Sequence, residues 1–484
     1  MTTIEELAGF VTGTPDEAIP LEVSEYARMI LLDTVVSALA TARLERGHMV
    51  RRLAARLGDA PEALLLGSSD RSSVLGASYA NADLMNLLDA DETFYNSAHF
   101  AAMGLAPALA QAERQHSTGR DLVRATVLSF DVSARLNLGT SLMEYDGEQF
   151  RFSQLSSHGY AAFGAATAYG VLSGLDATRL AHAFGLATWL TPTAKNGYMS
   201  RRRRFNSLKY AANGQIAHAG VTAAMMAEEG FEGDLDGLDI QPGFLEAQGY
   251  RSGDRDAILR DLGSTWWITE TSVKPYPSCR YSHAMLDAVV AARRDHDVQV
   301  DAIRAVRVKL PPAGFSISQF REPLPEIADD HLAPFHGQFH APHLVAVALL
   351  GIPAGPDWYS PETIRDPRVQ ELAAKVTIEE DPVLAEEWRA LITAGSGERV
   401  KRTRGSIVVT TDAGDLTVES ELAAGDPWLA ETRVTWELLE AKVETFCADL
   451  LDADRRKELL EIFRHLDEVE DVAAELVPAL LVEG

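Results

Sequence analysis

The first part of the chain, from about Pro20 to Arg260, carries apolar residues at spacings of three and four. This spacing places the apolar side chains on one face of an α-helix and therefore predicts a helical region. The segment that starts at Gly159, GYAAFGAATAYGVLSGL, is apolar on most faces, which is typical of a helix inside a large bundle. The predicted helices include residues 23–42, 121–136, 160–172, 177–190 and 213–229.

Beyond about Glu270 the apolar residues alternate in short runs, and prolines separate these runs. Alternation with a period of two indicates β-strands, as in AIRAVRVKL (302–310) and AAKVTIEE (373–380). The segment GSIVVTTDAGDLTVESEL predicts a hairpin whose turn lies at Asp412 to Asp415. Helices are expected to start near Ser282 and Pro342, and the helical pattern returns from Thr435.

The order of these patterns predicts a mainly α fold with an inserted α+β lid. We expect a large all-helical domain from residues 1–270 and 430–484, and a smaller α/β domain from residues 271–429. A chain of 484 residues is long enough for two domains of this kind. The cleft between them is the natural place for a pocket.

The composition is that of an ordinary globular protein, with 46% hydrophobic and 24% charged residues. A net charge of -27 would repel nucleic acid and anionic membranes. Two cysteines are too few for a disulfide framework or a Cys-ligated iron–sulfur cluster. The start MTTIEELAGF does not resemble a signal peptide, and no apolar run approaches the roughly 18 residues of a membrane helix. We therefore expect a cytoplasmic protein with neither nucleic acid nor a membrane as partner.

The densest polar group follows an apolar helix in the stretch Leu84 to His99, LMNLLDADETFYNSAH. The run AAMGLAPALA comes next and predicts a second buried helix. Unpaired buried carboxylates are unfavourable, so carboxylates between two buried helices indicate a site. The alternative is an ordinary helix start, because Asp, Thr and Ser are common N-caps. The site candidates are Asp89, Asp91, Glu92, Thr93 and His99, and the cap candidates are Asp91, Thr93 and Ser97.

Further titratable groups lie in apolar surroundings elsewhere in the chain. His158 opens the segment SSHGYAAFGAA. Lys209 lies in the Ala-rich segment SLKYAANGQIAHAG, where an inert lysine whose ammonium reaches solvent is the alternative to a site residue. The run Arg201 to Arg204 is either a solvated loop or a subunit contact. The remaining candidates are Lys274, Cys279 and Arg280 in SVKPYPSCRYSHA and His336, His340 and His343 in HGQFHAPH.

The motifs argue against several kinds of chemistry. The chain has no GxGxxG after a strand, no phosphate-binding GxxxxGKS/T and no nucleophile elbow. The pairs His340 with His343 and Asp89 with Asp91 have spacings that suit metal ligation, but neither belongs to a recognised ligand set. We therefore expect no cofactor and no metal.

The remaining candidates combine acid/base side chains with cations. This combination suits proton removal α to a carboxylate. Such a reaction needs a base, positive charge for the enediolate and an acid for a departing hydroxide.

Five segments resemble motifs of the MmgE/PrpD family, in the family's order and over nearly the whole chain. They are LLDADETFYNSAH, SSHGYAAFGAATAYGVLSGL, SLKYAANGQIAHAGVTAAMMAEEGF, VKPYPSCRYSH and GDPWLAETRVTWELLEAKVETF. The resemblance implies a metal-independent homodimer with a large helical domain and a smaller α/β lid. It implies an enzyme that dehydrates, decarboxylates or epimerises citrate-like acids.

The resemblance implies a pocket of Asp89, Thr93, His99, His158, Lys209 and Lys274, with Cys279 in a loop of the lid, and we assign the following roles to these and further residues. His99 and His158 are the general acid/base candidates, and Asp89 is the catalytic residue that orients them or bonds to the substrate. Lys209 and Lys274 are candidate anchors for substrate carboxylates. The substrate-binding candidates are Thr93, Cys279, Arg280, His340 and His343.

The chain departs from the family pattern at three places. Glu92 replaces an Asp, Tyr95 and Asn96 stand where the family has His-Pro, and His340 and His343 stand where it has a lid Ser and Tyr. These departures concern the substrate rather than the fold. We expect a dehydratase of a small-molecule polycarboxylate, such as a 2-methylcitrate-like hydroxy acid. Decarboxylation, epimerisation and an inactive carboxylate-binding role are the alternatives.

Overall fold

The computed structural model describes residues 1–95, 98–140, 143–152, 158–193, 206–209, 212–249, 254–296, 298–318, 323–395 and 399–482. The helices of the first part are α1 Thr3–Gly13, α2 Leu21–Leu39, α3 Glu45–Leu57, α4 Val74–Leu87, α5 Ala101–Gln115, α6 Gly119–Leu138, α7 Ala161–Leu172, α8 Ala177–Leu190, α9 Asn213–Glu228, α10 Phe244–Ala247 and α11 Arg255–Leu259. Later helices are α12 His283–Asp295, α13 Pro312–Ser318, α14 Ala333–Gly337, α15 Ala341–Leu349, α16 Pro361–Arg365, α17 Pro367–Ala373, α18 Pro382–Thr393, α19 Trp436–Phe446, α20 Ala453–Arg464 and α21 Val477–Leu480. The strands are β1 Ala63–Leu64, β2 Arg71–Ser72, β3 Thr93–Phe94, β4 Met143–Asp146, β5 Gln149–Phe152, β6 Thr271–Ser272, β7 Ile303–Leu310, β8 Val376–Glu380, β9 Gly405–Thr411 and β10 Gly414–Ser420.

The helical region packs around α7, the helix predicted to be apolar on most faces. Residues 161–170 of α7 are all buried, and α5, α6 and α9 pack against this helix. Small residues permit close contact, since a Cβ at Gly220 of α9 would lie 2.1 Å from the Ala162 carbonyl oxygen. Local signals set helix starts, as where the Asp176 side chain caps α8 by accepting from the Arg179 N–H. The mainly helical fold is confirmed.

The α/β region is built on a four-stranded sheet with the strand order β10, β9, β7, β8. Strand β7 runs parallel to β8 and antiparallel to β9, and β9 pairs with β10 as the predicted hairpin. The alternating apolar residues Val306 and Val308 on β7, and Ile407 and Val409 on β9, are fully buried. Helix α12 packs against β9 and β10. The strands predicted from period-two alternation are therefore confirmed.

Short strands also lie within the segment predicted to be helical nearly throughout, where one isolated strand was expected before Gly67. Strands β4 and β5 form a hairpin, and β1 pairs with β2. The pair that matters most for the site joins β3 to β6, with Thr93 opposite Ser272 and Phe94 opposite Thr271. This ribbon ties the segment that follows α4 to the start of the loop that carries Lys274.

The last helices return to the helical region, because α19 and α20 both pack against α2. Leu439, Val443 and Phe446 form the buried stripe of α19. No helix in the described part of the chain combines the length and apolar character needed to cross a membrane. The domain limits after residues 270 and 429 stay predictions.

Candidate active site

Asp89 lies where the chain leaves α4, two residues after the last helical residue Leu87. Its backbone φ is +54°, in the left-handed region that non-glycine residues rarely adopt and that Asp tolerates better than most. Asp89 is also only 1% exposed. A buried carboxylate on an unusual backbone is a combination found at functional positions.

Two ammonium groups from distant parts of the chain face this carboxylate. Lys274 Nζ lies 2.6 Å from Asp89 Oδ1 and 3.0 Å from the Asp89 carbonyl oxygen. Lys209 Nζ lies 3.7 Å from the same Oδ1. Both lysines are buried, so the solvated alternative for Lys209 is wrong. The β3–β6 ribbon explains the approach of Lys274, which follows β6 by two residues.

The charges around Asp89 favour its ionised form. Burial raises the pKa of the Asp89 carboxyl, but the ammonium groups of Lys209 and Lys274 outweigh burial and hold the pKa below its ordinary value. Burial lowers the pKa of Lys209, and Asp89 opposes that shift. Asp91 lies close to Asp89 as well, but burial raises the pKa of its carboxyl and favours the uncharged form, so the two ammonium groups at Asp89 leave positive charge in surplus. This surplus suits a ligand that carries a carboxylate.

The ring of His99 directs its Nε2 toward the Asp89 carboxylate. Its Nδ1 lies 2.6 Å from the Glu92 carbonyl oxygen, which can only accept, so Nδ1 carries the proton of the neutral ring. The Nε2 atom then faces Asp89 Oδ1 at 4.0 Å with its lone pair. Burial, and then the charge of Lys274, hold the pKa of His99 well below its ordinary value. Neutral His99 therefore has the form of a general base.

His158 lies beside His99 with the opposite tautomer. The backbone N–H of His99 donates to His158 Nε2 at 3.3 Å, so Nδ1 carries the proton of the neutral His158 ring. The two rings meet edge to face with centroids 6.0 Å apart. Burial, assisted by Lys209, lowers the pKa of His158 to about 3. His158 is thus a neutral hydrogen-bond donor.

Glu92 is the residue that caps α5. Its Oε1 accepts hydrogen bonds from the N–H groups of Phe100 and Ala101 at 2.9 and 2.8 Å. Burial and the neighbouring Asp91 raise the pKa of Glu92 to about 8. Asp91 does not cap α5, because its two carboxylate oxygens accept from the Asn86 side chain at 3.0 and 2.9 Å.

The other cap candidates are Thr93 and Ser97. Thr93 is buried in β3, and its hydroxyl lies 3.4 Å from His99 Nδ1. Thr93 is therefore brought into the site beside the general-base candidate. Ser97 lies outside the described residues, as do Asn96 and the run Arg201 to Arg204.

Arg280 makes contacts that hold together the loop that carries Lys274 and Cys279. It is fully buried, forms an ion pair with Asp426 and donates to the carbonyl oxygens of Val273 and Ala424 at 3.1 and 3.3 Å. These contacts surround the backbone on one side of Lys274. They indicate that Arg280 supports the loop.

Cys279 lies in the same loop but is a poor nucleophile. Burial, with a contribution from Asp89, raises the pKa of the Cys279 thiol to about 12. The thiolate form is therefore rare at neutral pH. The Cys279 N–H donates to the Gln338 carbonyl oxygen at 3.0 Å, and the Gln338 side chain lies beside Lys209, so Cys279 lies near the lysines that face Asp89.

His340 and His343 line a separate pocket of about 370 Å³ with Pro323, Ile364 and Val369 among its walls. The His340 ring accepts from the His343 N–H and caps α15, while His343 Nε2 lies 2.7 Å from the Trp358 carbonyl oxygen. Burial lowers the pKa of His343 to about 4. Their described hydrogen bonds thus stay within the α/β region. His336 is buried in α14.

Two amides complete the site and were not among the predicted residues. Gln338 Oε1 lies 3.4 Å from Lys209 Nζ, and its amide nitrogen donates to the Leu87 carbonyl oxygen at 2.8 Å. The Asn86 carbonyl oxygen accepts from Lys209 at 2.9 Å. Neutral amides give no charge pattern from which a sequence indicates a site, although Asn86 lies within the polar stretch Leu84 to His99.

A metal at this point would compete with the lysines. Ligand atoms of Asp89, Asp91 and His99 lie within 4.8 Å of one another, a spacing that suits a metal ion. The Asp89 oxygen, however, already pairs with Lys274, and an added cation would be repelled by both ammonium groups. The expectation of a metal-free site stays a prediction.

The site can therefore hold a carboxylate, accept a proton at His99 and donate a hydrogen bond from His158. The model of the MmgE/PrpD N-terminal domain matches residues 5–251, and that of the MmgE/PrpD C-terminal domain matches residues 276–468. Cis-aconitate decarboxylase of Homo sapiens is 22% identical over 480 residues, which cover 96% of this chain and 92% of the human protein. The chain therefore belongs to the MmgE/PrpD family.

Proposed function

We propose that this protein is a cofactor-independent lyase that removes a proton α to a carboxylate of a di- or tricarboxylate and expels water. The observation that carries the proposal is the convergence of Lys209, Lys274 and neutral His99 on the buried Asp89. A base and a surplus of positive charge thus meet at one point. These are the groups that enolisation of a carboxylate requires.

In the proposed reaction the substrate carboxylate binds between Lys209 and Lys274. Removal of the α-proton places additional negative charge on this carboxylate, and the ammonium groups stabilise that charge more strongly than the ground state. Their burial strengthens this interaction, because little water screens it. Asp89 attracts both ammonium groups through the same carboxylate oxygen and orients them.

The two histidines then act in turn. His99 Nε2 takes the α-proton, while the Glu92 carbonyl oxygen stabilises the imidazolium through Nδ1–H. His158 donates a hydrogen bond from Nδ1–H to the departing hydroxyl and stays neutral. The hydroxide takes the proton held by the His99 imidazolium and leaves as water, which returns His99 to its neutral form. The two tautomers thus give the rings different roles, proton transfer for His99 and hydrogen bonding for His158.

Decarboxylation is the second candidate. The similarity to human cis-aconitate decarboxylase extends over 96% of this chain, which favours a related substrate class. Loss of carbon dioxide leaves the same enediolate-type charge for Lys209 and Lys274 to stabilise. Decarboxylation breaks a C–C bond where dehydration breaks a C–O bond, and a proton must be returned to the carbon that loses carbon dioxide.

Proton NMR with a panel of citrate-like hydroxy acids and aconitate-like acids in D₂O tests the proposal. Loss of water with a new alkene signal supports the dehydratase, and loss of carbon dioxide supports the decarboxylase. Deuterium incorporation without net conversion points to epimerisation. No change in any acid, with folded wild-type protein at high concentration, would contradict an enzymatic role and favour carboxylate binding alone.

A further inference from the structure

The backbone at the end of α4 is held by three buried ammonium groups. The carbonyls at the C-terminal end of a helix lack helical partners and attract cations. Each of the three cations comes from a different part of the chain. The contacts are Lys209 Nζ to Asn86 O at 2.9 Å, Lys274 Nζ to Asp89 O at 3.0 Å, and Lys442 Nζ to Ala90 O.

Lys442 is the one of these lysines that the proposed reaction does not use. It lies on α19, is 3% exposed and occupies the buried stripe that Leu439, Val443 and Phe446 otherwise fill with apolar side chains. Its ammonium forms an ion pair with Asp33, a fully buried residue of α2. It also lies 3.3 Å from the Asp33 carbonyl oxygen. Three oxygens thus surround it.

A buried ion pair is an inefficient way to join α2 to α19. Apolar side chains of similar volume stabilise such a contact as well or better, because the desolvation of two charges offsets their attraction. Stability alone therefore does not explain a lysine at this position. The third contact does, since it reaches the carbonyl of Ala90, which directly follows Asp89.

We propose that Lys442 is a positioning residue for the Asp89 carboxylate, and that Asp33 orients the Lys442 ammonium. The Asp89 peptide has a left-handed φ, so its carboxylate direction depends on how the adjoining peptides are held. Lys274 holds the carbonyl of Asp89 and Lys442 holds the next one. In the structure the Asp89 carboxylate lies 4.0 Å from His99 Nε2 and 3.7 Å from Lys209 Nζ. Without Lys442 it moves relative to both atoms.

The effect on turnover rests on the proposed function and is tested with two variants. Lys442→Met keeps the chain length but leaves Asp33 buried without its partner, so it should lower both the Tm and kcat. Asp33→Val/Lys442→Met replaces the pair with apolar groups, and its Tm should return close to the wild-type value. Its kcat should stay about 10- to 100-fold low with KM changed less than about threefold, because the base and carboxylate are misplaced. Lys457→Met, at an exposed lysine of α20, is the matched control.

A merely structural pair would behave differently. In that case kcat would recover together with the Tm in the double variant, which would overturn the proposal. Amide hydrogen exchange of residues 88–92 supplies a readout that needs no substrate. Exchange should be faster in the double variant than in wild type at equal global stability, and equal exchange would also overturn it. A wild-type protein that converts no acid in the panel would count against the proposed function, while the exchange result would still decide the role of Lys442.

Discussion

Replacing Lys274 with methionine probes the site most sharply. Lys274 is fully buried, and its ammonium contacts both the carboxylate and the carbonyl oxygen of Asp89. Methionine has nearly the same length but no charge and no donor. Lys274→Met therefore removes one of the two cations at Asp89 without opening a large cavity.

The distances set the expected loss of stability. At an effective dielectric constant near 20, charges 2.6 Å apart attract by about 6 kcal/mol and charges 3.7 Å apart by about 4 to 5 kcal/mol. Lys209 therefore still compensates much of the Asp89 charge in the variant. Breaking a buried pair usually costs about 3–5 kcal/mol, so we expect the lower end, about 3 kcal/mol.

The same change should affect turnover in size and in pH dependence. A lost hydrogen bond to a charged group is worth about 1.5–3 kcal/mol, or about a 10- to 150-fold lower kcat/KM. Burial and then Lys274 lower the pKa of His99, so removal of the ammonium raises that pKa. A base must be unprotonated, so activity in the variant should fall off at a higher pH than in wild type.

Urea unfolding and the pH profile of kcat/KM measure these effects, with Lys457→Met as the exposed control. We expect Lys274→Met to have a lower free energy of unfolding, a lower kcat/KM and an acidic limb displaced to higher pH. Surface substitutions usually change the free energy of unfolding by less than roughly 0.5 kcal/mol. If Lys274→Met stays within that range of wild type and keeps the wild-type acidic limb, Lys274 does not have the role proposed for it.

Three further predictions concern residues around the site. The folded-state pKa of His158 is lowered to about 3, below the ordinary value near 6.5, so the unfolded chain binds the proton first as the pH falls. The free energy of unfolding should therefore fall by about 2 kcal/mol from pH 7 to pH 5. Urea unfolding should show that this pH dependence is missing in His158→Gln, and an unchanged pH dependence would contradict the prediction. Arg280→Gln breaks the buried pair with Asp426 and should lower the free energy of unfolding by about 3–5 kcal/mol; a rise in KM at wild-type stability would instead support contact with substrate. His340→Asn keeps a good N-cap for α15, so KM should stay within about twofold of wild type, and a tenfold rise in KM would return His340 to the site.

Local patterns predicted the helices well where local signals set their ends. Residues 177–190 were predicted as a helix and form α8, because Asp176 caps its start and a Thr-Pro-Thr segment follows its end. The hairpin of β4 and β5 was missed, since each strand has only four residues and the surrounding pattern is helical. Pairing between β3 and β6 links positions far apart in the chain, which periodicity does not report.

The candidate site was predicted by residue type and resemblance, and partly by burial. Asp89, Lys209 and Lys274 are titratable residues in apolar surroundings, and the structure brings them together. The capping role of Glu92 could not be assigned, because several residues nearby could cap the same helix. Lys442 does carry a sequence signal, since it interrupts an apolar stripe, but its partner on α2 becomes visible only in the folded chain.

In the proposed reaction His99 removes a proton α to a carboxylate held by the lysines. The most direct measurement is the rate of solvent-deuterium incorporation at that carbon, or of its loss as product, for wild type and His99→Gln with the acid that the NMR panel identifies. We expect wild type to exchange or eliminate this proton, and His99→Gln, folded and still binding the acid, to lose the rate by at least about 100-fold. A wild-type rate in His99→Gln would show that His99 is not the base.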